Sequence, residues 1–222
     1  MDSALQIIDL SSDLYIDTES TLQNPVIGSH SINMLLALNR TSFVDEKEAT
    51  KFIKNVERIV RTSLEYREFV HYIRCILGYS KCLFTNETYD ETNDVEIHHH
   101  PLTLFDIAEA ITSTYIHNKQ RFNSFNIASE IIKLHFSLSI GFIPLISTLH
   151  KKFHSGNLDI PIDIVIGDWK YIVNNYVLSD ATRQKIKEYC SISKETVRSR
   201  LLKEEKDVFY PAILRVEDVL MQ

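Results

Sequence analysis

Val95-Glu96-Ile97-His98-His99-His100-Pro101 and Ser147-Thr148-Leu149-His150-Lys151-Lys152-Phe153-His154-Ser155-Gly156 decide how this chain is read, because they hold five of its nine histidines in an arrangement that core packing alone would not produce. The first stretch begins with β-branched residues and stops at a proline, as a short strand does. Neighbouring side chains in a strand point to opposite faces, so His98 and His99 are expected to face different ways. The second stretch reads as a helix. Residues four apart on a helix sit roughly 5–6 Å apart on one face, which lets His150 and His154 close on a single ion. Imidazole suits zinc, nickel and other borderline cations, and it is also the usual general base near neutral pH.

A short apolar strand, Gly141-Phe142-Ile143-Pro144-Leu145-Ile146, leads directly into the second stretch. The order is therefore a His-His-x-Pro strand, a second strand, then a helix with a His pair four residues apart. This pattern resembles the HNH (ββα-metal, His-Me finger) endonucleases, most of all the colicin-type and phage-encoded members, over about 60 residues from about 95 to 157. The resemblance implies an α+β protein, mostly helical, with a small ββα-metal core interrupted by a helical insertion. It implies a metal-dependent enzyme hydrolysing DNA phosphodiesters, with His99 as general base and His98, His150 and His154 holding one divalent ion (magnesium, manganese, zinc or nickel). Glu96 and His100 would stand behind the ligands, and Lys151 and Lys152 would hold DNA; by charge alone, Lys194, Arg198 and Arg200 of a basic run are expected to hold it too. The family's central asparagine has no counterpart where it is expected; Gly141 occupies roughly that position.

The residues themselves leave alternatives open. Shifting the strand reading by one residue makes His99 the ligand and His100 the base. With period two, His98 and His100 share a face, and together with His150 and His154 they would form a closed four-nitrogen zinc site, which is structural rather than catalytic. In that version the chain is a non-catalytic DNA- or protein-binding module.

Composition bounds the rest. The chain has 222 residues, 44% of them hydrophobic, enough for a substantial core. No apolar run approaches the roughly 20 residues that cross a bilayer, and Met1-Asp2-Ser3-Ala4 lacks the basic start of a secretion signal, so a cytoplasmic protein is expected, in the host cytoplasm if phage-encoded. Cys75, Cys82 and Cys190 have no C-x-x-C spacing and are expected to be reduced and mostly buried. The net charge of −6 opposes DNA binding, but the distribution is uneven. Eight acids face two bases over residues 1–50, whereas seven bases face two acids over 183–203.

Along the chain, residues 1–93 are expected to form a helical region with a short hairpin within Leu5 to Asp17. Residues 94–160 form the core with its insertion at 103–139, and residues 161–222 a C-terminal helical region. Helical spacing predicts helices over Asp45–Thr62 and Ser63–Leu77. Thr103 with Asp106 predicts a capping box, and Ser124, Ser179 and Ser193 read as further caps. Leu158 to Ile166 alternates as a strand would, and Asp168 is expected to open an aromatic helix. His30, His71, His117 and His135 are given no role.

Overall fold

Asp45 ends an extended segment and accepts the Glu48 amide at 2.7 Å, which satisfies one of the free donors that every helix start exposes. Helix α1 (Glu46–Thr62) follows and buries Phe52, Ile53, Val56 and Val60 on one stripe. Ser63 breaks it and caps α2 (Leu64–His71), which widens into a π turn over Tyr72–Ile76 before Gly78 takes a φ of 77°. The helix expected as one piece to Leu77 is thus an α-helix with a π end.

This is a computed structural model, and it describes residues 39–86, 88 and 94–192, which belong to the second of two compact units, Ala37–Gln222. The expected N-terminal hairpin and the cap at Ser193 lie outside the described residues.

The architecture is α+β, mostly helical with one small sheet. Strand β1 (Val95–His99) pairs antiparallel with β2 (Phe142–Ile146), and the register sets His98 opposite Ile143, His99 opposite Phe142 and Glu96 opposite Leu145. Between the strands runs a helical hairpin of α3 (Leu104–His117) and α4 (Ser124–Phe136). The capping box of Thr103 and Asp106 forms as expected, but α4 is capped by Asn123, whose side chain accepts the Phe125 and Asn126 amides, so Ser124 is the first helical residue. After β2 come α5 (Ser147–His154), α6 (Lys170–Asn175) and α7 (Asp180–Cys190), the last capped by Ser179.

The expected strand at Leu158–Ile166 is not one: it contains a single 3-10 turn at Ile162–Ile164, and its backbone pairs with the sheet at one isolated bridge, between Ile166 and Phe142. Pro161 has no N–H to give a ladder, while the alternating Leu158, Ile160 and Ile164 are buried all the same. Asp168 likewise precedes the aromatic helix by two residues, with Tyr176 as its C-cap. Of the cysteines only Cys82 is buried; Cys75 and Cys190 are exposed, and all three are free.

Opposite faces of the sheet meet different cores. His98 and Glu96 share one face with Ile143 and Leu145, and α5 packs there through Leu149. The other face carries His99 and Phe142, against Phe69 and Ile73 from α2 and its π turn. The largest core lies beyond, where α1 packs across α3 and α4 around Val56, Ile107, Ile111, Phe122 and Ile131. No helix among the described residues is long and apolar enough to cross a membrane.

Candidate metal centre

Because β2 runs straight into α5, with the Ser147 amide bonded to the Asp94 carbonyl at 3.1 Å, the first turns of α5 lie over β1. That placement brings together three residues separated by as many as 56 positions in the sequence. One ring nitrogen from each of His98, His150 and His154 lies within 4.8 Å of the others. Their ring centres are 4.7, 5.3 and 4.6 Å apart pairwise. Three imidazoles on a tetrahedral zinc, with zinc–nitrogen bonds of about 2.0–2.1 Å, hold their ring centres about 5 Å apart. The cluster has the spacing of a ligand set.

Tautomers follow from the hydrogen bonds. His150 Nδ1 lies 2.5 Å from Glu96 Oε2, and the Ser147 hydroxyl donates to Glu96 Oε1 at 2.7 Å. Burial opposes the charge on Glu96, yet Ser147, His150 and Lys151 together hold its carboxyl below the usual range. A carboxylate can only accept, so His150 Nδ1 carries a proton, and in the neutral ring that a metal requires its Nε2 presents a lone pair. His154 Nε2, 2.9 Å away, must then donate to it, and a metal would displace that single proton. His98 is 5% exposed; burial first, and then the nearby imidazoles of His150, His100 and His154 and the Lys185 ammonium, push its pKa down to about 3. It stays neutral and able to ligate at any ordinary pH. Glu96, expected behind the ligands, is thus the group that orients His150.

His100 stands apart from the three. Its ring centre is 6.3 Å from that of His98 and packs against Phe153 and Tyr189, so the described structure groups three imidazoles rather than a closed set of four.

His99 points to the opposite face, 5% exposed and stacked on Tyr66. Its Nε2 meets His135 Nε2 at 2.9 Å, and His135 Nδ1 lies 2.7 Å from the Ile131 carbonyl. Since that carbonyl only accepts, His135 donates through Nδ1 and accepts through Nε2, which makes His99 the donor of the pair. Both rings are neutral: burial and the charge repulsion of its partner hold His99 well below its ordinary value, and burial brings His135 to about 4. His135, left without a role on sequence grounds, is the partner that fixes His99. Its position four residues after Ile131 on the buried face of α4 was the available signal. Lys151 is exposed on α5, whereas Lys194, Arg198 and Arg200 lie outside the described residues.

The buried pair has a consequence in acid. An unfolded histidine takes up its proton near pH 6.5, whereas folded His135 does so only near pH 4. Stability is therefore complete above about pH 6.5 and falls as the pH drops from there toward 4. For His135 alone the loss is about 2 kcal/mol at pH 5. Urea midpoints of chelator-treated protein at pH 7.5 and pH 5 measure it, and His135→Gln should flatten the difference; an equal slope in the variant would remove His135 from the account.

Comparison with known proteins leads away from a nuclease. No curated protein and no solved structure matches the chain. One family model covers residues 7–219, nearly the whole sequence rather than the 60 residues of the histidine motifs, and it is not an HNH model. The HNH assignment, the DNA-hydrolysing function and the enzyme class are corrected by that match, and the general-base role of His99 loses the resemblance that implied it; of the expectations drawn from the resemblance, the phage connection agrees with the match. Physically, a ββα arrangement is a small geometry that unrelated sequences reach, and fold alone does not carry activity. The family is that of the bacteriophage G278-like virion proteins, to which this chain belongs.

Proposed function

We propose that the chain is a non-enzymatic structural component of the phage particle, made in the host cytoplasm, and that His98, His150 and His154 hold one divalent transition-metal ion that fastens α5 to β1. The observation that carries the metal reading is the convergence of the three imidazoles, with Glu96 orienting His150. The family supports the place in the particle. An all-imidazole set favours zinc, nickel or cobalt over magnesium, which prefers oxygen ligands and keeps its waters. Joining a strand to the helix that follows its partner, such an ion adds its binding free energy to folding, since the unfolded chain has no preformed site. That suits a protein whose task is to stay assembled.

Two measurements test the reading. Mass spectrometry of purified particles should find the chain among their proteins, and elemental analysis of the purified chain should give about one zinc or similar ion per molecule. Absence from the particle would overturn the structural role; a metal content near zero after incubation with zinc would overturn the centre.

A further inference from the structure

Two buried imidazole nitrogens in the described structure have no hydrogen-bond partner, Nε2 of His98 and Nε2 of His100. They sit on one face of the same strand end, two residues apart. A buried polar atom left without a partner costs on the order of 1–3 kcal/mol, so two together point to something that both would meet. For His98 the ion proposed above is that partner. His100 is different. It is 1% exposed, and its other ring nitrogen bonds the Ile160 carbonyl. That bond uses its one proton, so Nε2 is a lone pair and can be satisfied only by a donor.

Distance decides which donor. Rings that share the ion lie 4.6 to 5.3 Å apart, whereas His100 is 6.3 Å from His98, too far to join the same coordination sphere. One water between ion and ring fits, with about 2.1 Å from metal to oxygen and about 2.8 Å from oxygen to nitrogen. Three protein ligands leave a tetrahedral ion one position to fill, and a water on a cation is a strengthened donor. Phe153 and Tyr189 wall His100 with ring contacts at 5.5 and 4.5 Å.

We propose that the fourth position of the ion is turned inward and holds a water that donates to His100 Nε2, so that His100 acts as a positioning residue for the centre and not as a ligand. This rests on the three-histidine reading above. It gives the third histidine of the triplet a task distinct from those of His98 and His99.

Long-range proton–nitrogen spectra of the zinc-loaded full chain, labelled with ¹⁵N, test it. Expected are three histidines with metal-coordinated nitrogens, and His100 uncoordinated with its proton on Nδ1. A coordinated His100, or one with its proton on Nε2, overturns the inference while the metal reading stands; a chain that takes up no zinc overturns both. In cobalt-loaded protein, His100→Phe should keep one ion per chain, shift the visible absorption bands and weaken affinity about 10-fold. Unchanged bands and affinity would overturn it. Should that variant fail to fold, the wild-type nitrogen spectrum decides alone.

Discussion

Replacing His150 and His154 together by Ala is expected to abolish tight binding of zinc, lowering affinity by at least about 1,000-fold, because His98 would be the only protein ligand left. The same change should uncouple stability from metal. With wild-type protein, zinc at about 1,000 times its dissociation constant adds about 4 kcal/mol, which chelator removes. The double variant should melt at one temperature with or without zinc. Glu96→Gln should land between, with affinity down about 10- to 100-fold, because it loses the carboxylate that orients His150 but keeps every ligand. Calorimetry and thermal melts read both quantities; a zinc-dependent shift surviving in the double variant would place the ion elsewhere.

Gly141→Ala is expected to destabilise the fold by about 4 kcal/mol or more, or to prevent folding, which exceeds the usual overpacking cost of about 1–3 kcal/mol. A Cβ at Gly141 would lie 2.1 Å from the His100 carbonyl oxygen, 2.7 Å from the Trp169 Cβ and 2.8 Å from a Val165 methyl. The carbonyl cannot yield cheaply, because the His100 amide is itself bonded to the Gly141 carbonyl at 3.1 Å. Any shift opens the end of the sheet beside the histidine cluster. Gly78 is the control: its φ of 77° strains an alanine, but nothing lies within 4 Å of the added atom, so Gly78→Ala should cost only about 1–2 kcal/mol. Denaturant midpoints that place the two variants together would refute the close-approach account.

Gly141 also shows where sequence reading went astray. Beside the HNH pattern it looked like a lost asparagine; in the structure it is glycine because backbone, Trp169 and Val165 crowd the position from three sides. Local signals were legible. Thr103 and Ser179 cap the helices expected of them, the helices expected to begin near Asp45 and Ser63 do so, and period two correctly put His98 and His99 on opposite faces. What the sequence concealed depends on partners far along the chain. Glu96 reaches His150 across 54 residues and His99 reaches His135 across 36, and neither link has a local spacing to betray it. Pro161 misled in the other direction, since alternation reports burial of Leu158, Ile160 and Ile164 but not whether a ladder can form. The motif order identified the ββα geometry and mistook it for a family, because the same short pattern of period and spacing serves any chain that lays such a helix on such a strand pair.

The α3–α4 hairpin between the two strands has a kinetic meaning as well. Helices with nearest-neighbour contacts form quickly, whereas β1 and β2 must close a loop spanning the whole insertion before their first pairing is rewarded. The strand pair, and with it the place where α5 meets β1, is therefore expected to assemble after the hairpin has folded. Interactions absent from the folding transition state act on the rate of opening and not on the rate of closing. The ion proposed between α5 and β1 would be such an interaction: it would lengthen the lifetime of the finished chain without hastening its formation, and in a particle that must persist long after synthesis has stopped, lifetime is the quantity that counts.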